Sequence, residues 1–237
     1  MVDEYQTNTR KLNGNERVFF YLILLSVFCQ LLITPFLYGD VQLIVNWIGI
    51  PFYGLFGYLG LKKFEKRAGF PDMLDDSIDN RQRFLFPLVL GTLFGLAAIL
   101  FDIFSTNKIP QIAFPLSIPV WIPIAILDEM FWRLFVMTFL VWLFSEKALK
   151  GANQESVFWV VAIIETLIYM MMQFSLYTQN VGPITTYVVM QVLLVSGSFI
   201  LVACYLYRRV GFLGPITLHI GQYMLYHGVY GGISILL

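Results

Sequence analysis

Seven stretches of roughly twenty residues, nearly free of charge, divide this chain and leave most of its basic residues between them. A run of that length matches the hydrocarbon core of a bilayer, and backbone in lipid must satisfy its own hydrogen bonds, which for a single run means a helix. The stretches are Val18–Leu37, Val41–Leu61, Phe84–Phe104, Phe114–Phe144, Val157–Thr178, Thr185–Tyr207 and Phe212–Leu236. Only 13% of residues are charged and mean hydropathy is +0.74, whereas a soluble domain carries about 25% charged residues. The expected fold is an all-α membrane helix bundle of about seven transmembrane helices. Residues 1–17 read as a cytoplasmic tail and residues 18–237 as one transmembrane domain. No fixed-period repeat is present. The first stretch is too long for a signal-peptide core and lacks a small-residue cleavage site.

The fourth stretch is the longest, and Pro115, Pro119 and Pro123 crowd its start. Proline removes a helical donor, so an irregular or kinked beginning is expected there, with a regular helix from about Ile124.

Loop charge predicts orientation. Arg10, Lys11 and Arg17 precede the first stretch; Lys62, Lys63, Lys66, Arg67, Arg81 and Arg83 lie between the second and third. Lys147 and Lys150 follow the fourth, and Arg208 and Arg209 follow the sixth. If seven spans alternate, these all share one side and only Lys108 lies on the other. By the positive-inside rule the amino terminus is cytoplasmic and the carboxyl terminus outside. Between Lys62 and Arg83, Asp72, Asp75, Asp76 and Asp79 offset the basic residues. That segment reads as a solvated connector with a short surface helix rather than a lipid-binding basic patch.

Several function classes drop out. Fifteen basic residues balance fifteen acidic ones, so no basic face is left for nucleic acid. Cys29 and Cys204 both lie in apolar runs and suggest neither a zinc ribbon nor a disulfide framework. No His-Glu-x-x-His occurs, no metal or cofactor is expected, and no lysine lies inside a span to hold retinal. Ser196-Gly197-Ser198 resembles a rhomboid-like serine site faintly, and small-residue helix packing accounts for it.

Charge at mid-membrane costs about 2.5–3.5 kcal/mol per residue even on lenient scales, so each instance needs a reason. The fourth span contains Asp128, Glu129 and Arg133, the fifth Glu165, and the seventh His219 and His227. Asp102, near the outer end of the third, reads as a solvated helix end. Glu129 and Arg133 are four apart and can pair along one helix face. Glu165, Tyr169 and Gln173 form a polar stripe at the same spacing, and His219, Tyr223 and His227 form another. Three acids against one arginine imply that at least one acid is protonated at neutral pH. Such stripes can be interhelical hydrogen-bond glue. Acid, base and histidine together are also the means of activating water.

From about residue 84 onward the chain resembles the CAAX-protease and bacteriocin-processing (CPBP, or ABI) family of intramembrane proteases. The family's Glu-Glu-x-x-x-Arg is similar to Asp128-Glu129-Met130-Phe131-Trp132-Arg133, its Phe-x-x-x-His to Tyr169-Met170-Met171-Met172-Gln173, and its His-x-x-x-Asn/Asp to His219-Ile220-Gly221-Gln222-Tyr223. The resemblance implies hydrolysis of a peptide bond near the membrane by a glutamate-activated water, in a prokaryotic cell membrane, on a membrane-tethered peptide or protein. Membrane lipid is the surrounding partner. On that pattern Glu129 is the general base, Asp128 its partner, Gln173 a water-orienting amide and His219 the oxyanion donor; from their place on the same stripes Glu165, Tyr169 and His227 are auxiliary candidates, Glu165 as a proton acceptor. Three positions depart: Asp128 is a methylene shorter than glutamate, Gln173 cannot exchange a proton as histidine can, and Tyr223 replaces an amide or carboxylate. The alternative is a catalytically impaired member acting as a membrane scaffold, partner-binding or immunity protein.

Overall fold

Asn13 opens the first helix by a reciprocal cap. Its side-chain oxygen accepts from the Glu16 backbone N–H at 2.8 Å, and its own N–H donates to Glu16 Oε2 at 2.9 Å. This satisfies two donors that a helix start otherwise leaves open. The computed structural model describes residues 12–36, 41–105 and 111–234. Among them seven helices and no strand are found: α1 Gly14–Ile33, α2 41–64, α3 Arg81–Phe104, α4 117–148, α5 Gln154–Asn180, α6 Thr186–Val210 and α7 213–234. Four of them, α1, α3, α5 and α6, are long and apolar enough to cross a membrane. Their outward faces are apolar as well: Leu24, Phe28 and Leu31 on α1, and Val160, Ile163, Leu167 and Met171 on α5, are all exposed. Patches of that kind are rare on the surface of a soluble monomer and suit lipid. The chain is a helical membrane protein.

Each apolar run became a helix, with boundaries that differ by a few residues. Leu37, Lys108 and Leu236, together with Arg10 and Lys11, lie outside the described residues. The fourth run departs most from expectation. Its helix starts at Ser117, seven residues before Ile124, and contains both Pro119 and Pro123. Pro119 falls in the first turn, where backbone donors have no intrahelical partner to lose; Pro123 is accommodated as an interior residue. Among the described residues six segments have π geometry, including Met130–Met137 in α4 and Met224–Gly231 in α7. Two of them, Met130–Met137 and Val192–Gly197, are followed by a hydroxyl bonded back to carbonyls three and four residues earlier, Thr138 onto Leu134 and Phe135 and Ser198 onto Leu194 and Val195.

Helix α4 is central. Its Met130, Leu134, Met137 and Val141 are buried in one apolar cluster with Phe158 and Ala162 of α5 and Phe199, Ala203 and Tyr207 of α6. Helices α3 and α7 approach backbone to backbone. A side-chain carbon on Gly221 would stand 2.6 Å from the Leu88 carbonyl oxygen and 3.3 Å from Gly91 Cα. Small residues are what permit so close a crossing.

The connector after α2 is not a solvated loop with a surface helix. It turns back on the bundle and buries Ala68, Phe70 and Met73. Phe70 stacks on Tyr207 with ring centres 4.2 Å apart, and Asn15 donates to Asp72 at 2.7 Å. Gly211 has φ +78° where α6 hands over to α7, and the Pro71 and Asp72 carbonyl oxygens pass within 3.3 Å of where a side chain would stand. Glu65 is fully buried here, with Oε1 accepting from the Tyr207 hydroxyl at 3.3 Å. Lys62 pairs with Glu16, and Arg208 reaches Glu155 at 3.1 Å and the Gly69 carbonyl at 2.9 Å. The start of α1, the end of α2, the connector, the start of α5 and the end of α6 therefore meet at one end of the bundle. Lys62, Lys66 and Arg208 lie at that end.

Asp102 is not a solvated helix end either. It is only 6% exposed, and it accepts from the Tyr230 hydroxyl at 2.7 Å and from Tyr226 at 3.4 Å. This pins the end of α3 to α7 at the other end of the bundle.

Candidate active site

Helices α4, α5 and α7 bring four of the ionisable groups together. Glu129 ends the regular α-helical part of α4, and Arg133 follows within the wider π turns. Arg133 Nη1 donates to Glu165 Oε1 across to α5 at 2.6 Å, while its Nε lies 3.4 Å from Glu129 Oε2. Glu129 Oε1 meets His219 Nδ1 of α7 at 2.8 Å. Exposure is 0% for Glu129, 1% for Arg133, 2% for Glu165 and 2% for His219. Four ionisable groups on three helices thus form one water-shielded chain: Glu165, Arg133, Glu129, His219. Charges in such surroundings persist only when paired and hydrogen-bonded.

The expected Glu129–Arg133 pair is present, but the tighter partner of Arg133 is Glu165. Spacing along one helix cannot reveal a contact between two. The sole sequence signal for it is an unpaired acid in the middle of an apolar run.

An ionised carboxylate can only accept. Glu129 therefore places a proton on His219 Nδ1, which leaves Nε2 as a bare acceptor in the neutral ring or a second donor in the charged one. His219 Nε2 makes no hydrogen bond to another described residue, and neither do Arg133 Nη2 or Glu165 Oε2. In a buried network such atoms call for partners: water can donate to the two acceptors, and a substrate carbonyl can accept from Arg133 Nη2. The imidazole is held edge-on by Phe199 of α6 at 4.8 Å and by Tyr223 one turn along at 4.6 Å.

Of the remaining predicted residues, all but His227 surround this chain. Asp128 is half-buried and within electrostatic reach of His219, with Tyr53 of α2 also near it. Gln173, half-buried, hydrogen-bonds Tyr169, and Tyr169 in turn contacts the Tyr223 hydroxyl. Gln173 thus joins the network through two tyrosines. His227 belongs elsewhere: its Nδ1 meets Gln111 Oε1 at 2.9 Å, and its ring stacks on Trp121 at 3.7 Å. Neither Gln111 nor Trp121 carried a sequence signal, since a lone amide or indole in an apolar run is ordinary.

Among the described residues no group of three or more His, Cys, Asp and Glu side chains is placed to hold a metal ion. Cys204 is buried and unpaired, as is Cys29. Comparison with known proteins gives no significant match to a family model, a curated protein or a solved structure.

Proposed function

We propose that this chain is an intramembrane peptide hydrolase of the CAAX-protease and bacteriocin-processing type, in which the Glu129–His219 pair activates water. The observation that carries the reading is the 2.8 Å contact between Glu129 Oε1 and His219 Nδ1, with Nε2 left unengaged. Glu129 fixes the ring and balances the charge it acquires. His219 Nε2 takes a proton from water as the water oxygen bonds to the peptide carbonyl carbon. The oxyanion that forms is negative, and the unengaged Nη2 of Arg133 is a charged donor suited to it. His219 then returns the proton to the leaving amine as the carbon–nitrogen bond breaks. Proton transfer thus moves from Glu129, the base in the resembling pattern, to His219. This accommodates Gln173, which cannot itself transfer a proton. The positive-inside rule supports a cytoplasmic position for the basic end, with the amino terminus there and the carboxyl terminus outside. A prokaryotic cell membrane is the setting the resemblance implies.

The second reading is a scaffold without catalysis. It is favoured by the near-complete burial of all four ionisable groups and by their tying α4, α5 and α7 together.

The test is peptide release by purified protein in lipid vesicles from a panel of membrane-tethered peptides. Cleavage that is lost in both His219→Asn and Glu129→Gln supports the pair. Cleavage that survives His219→Asn removes the proposed base. If the native chain releases nothing while Asp128→Glu, Gln173→His and Tyr223→Asn together restore release, the scaffold reading stands and the chemistry has been lost from an intact frame.

A further inference from the structure

Away from the buried network, a groove of about 710 Å³ opens on the outer surface at the basic end, between the start of α3 and the end of α6. Its rim carries Arg81, the first residue of α3, and Arg209, next to last in α6. Below them Leu85, Phe86 and Val89 run along α3, all exposed, facing the exposed Tyr205 of α6. No carboxylate is among the lining residues. Neither arginine forms an ion pair with a described residue, although Lys62, Lys66 and Arg208 at the same end all do. Arg209 is held instead over the Tyr205 ring at 5.7 Å, which stations its guanidinium at the groove mouth.

The pattern is ordered along the helix axis. Two uncommitted cations stand at the membrane-surface end, and a strip of apolar side chains descends from them for about 12 Å, the rise of eight helical residues. A soluble anion would engage the cations and leave the strip idle; an acyl chain alone would engage the strip and leave the cations unused. An amphiphile with a phosphate head and an apolar tail uses both. Guanidinium is suited to phosphate because its planar fork donates two parallel hydrogen bonds.

We infer that the Arg81–Arg209 groove is a binding site for one anionic phospholipid, with the phosphate between the two guanidiniums and a tail along Leu85, Phe86 and Val89. The connector acids, which neutralise the loop as a whole, are engaged elsewhere or do not line the groove: Asp72 holds Asn15 and Lys66, and Asp75 holds Ser77. The site stands whether or not the buried network is catalytic.

The test is native mass spectrometry of the full chain in detergent, titrated with phosphatidylglycerol or phosphatidylcholine of matched tails. Two basic side chains near an anionic headgroup give a preference for phosphatidylglycerol of about thirtyfold, with one lipid retained. Arg81→Gln with Arg209→Gln should reduce this preference to near parity. Lys147→Gln with Lys150→Gln removes the same charge from the same end and should leave the preference intact. Leu85→Ser with Val89→Ser changes only exposed side chains, so it preserves the fold while weakening retention of both lipids. Equal retention of the two lipids by the native chain would overturn the site. So would an undiminished preference in the double arginine variant, or full displacement of the lipid by inorganic phosphate, which would mean that the tail contributes nothing.

Discussion

Replacing Gly221 with alanine tests whether the close α3–α7 crossing is what sets the His219 position. The new carbon would stand 2.6 Å from the Leu88 carbonyl oxygen, 3.2 Å from Thr92 N and 3.3 Å from Gly91 Cα. Ordinary contact begins near 3.5 Å, and every obstructing atom is backbone, so no rotamer change relieves the clash. Helix α7 must retreat by roughly 0.9 Å. His219 lies two residues earlier, on the far side of the helix, so a retreat of that order drives its ring against Glu129 and distorts their 2.8 Å bond. Overpacking costs about 1–3 kcal/mol, and loss of a hydrogen bond to a charged group costs about 1.5–3 kcal/mol. Alanine's better helix propensity returns about 1 kcal/mol. The expected net loss is roughly 1.5–5 kcal/mol, read from reversible unfolding in mixed micelles by tryptophan fluorescence. Gly14→Ala is the control, because nothing lies within 4 Å of a side chain there. A Glu129→Gln/His219→Asn double-mutant cycle should also lose at least half its coupling in the Gly221→Ala background. Unfolding indistinguishable from the Gly14 control, with coupling retained, would refute the reasoning.

Three further expectations follow from buried groups. Burial, aided by the charge of Asp72, raises the Glu65 pKa to about 8 against the opposing effects of Tyr207 and Lys66. The folded protein then keeps a proton that the unfolded chain releases near pH ~4.3, so stability should fall as pH rises from there towards 8 and level off beyond. Glu65→Gln should flatten unfolding measurements over that window and make the protein more stable at pH 8; an unchanged slope would show that Glu65 is ionised in the fold. Arg133→Met strands Glu129 and Glu165 and should cost about 3–5 kcal/mol, with part recovered by adding Glu165→Gln; no recovery would deny the cross-helix pair. Asp102→Ala leaves two tyrosine hydroxyls without their acceptor and should lose about 1–3 kcal/mol, whereas a truly solvated acid would lose almost nothing in the same unfolding assay.

The helices were legible because a twenty-residue apolar run has few options in a bilayer. The early start of α4 was hidden by Pro119 and Pro123, since proline disfavours a helix on average yet costs little in a first turn. Burial of the connector was hidden for a different reason. Its apolar residues are few and scattered among charges, and only the packed end of the bundle gives Phe70 and Met73 somewhere to go. Asp102 was misread because its partners lie 124 and 128 residues away. The pair Glu129–Arg133 could be read from spacing, while Arg133–Glu165 could not, because periodicity along one helix says nothing about rotation of the next.

The grip of Arg133 on Glu165 also imposes an order on biogenesis. Emerging from the ribosome alone, α4 presents Asp128, Glu129 and Arg133 near its middle, and only a partial internal pairing eases its passage into lipid. The acid that completes that pairing arrives with α5, which begins after the five residues 149–153. Integration of α4 is therefore favoured once α5 can accompany it, as a helical hairpin delivered together. Arrival of α7 then closes the last contact through His219. A chain truncated before α5 should leave α4 exposed to the cell's quality-control machinery, while one truncated after Asn180 should retain it in the bilayer.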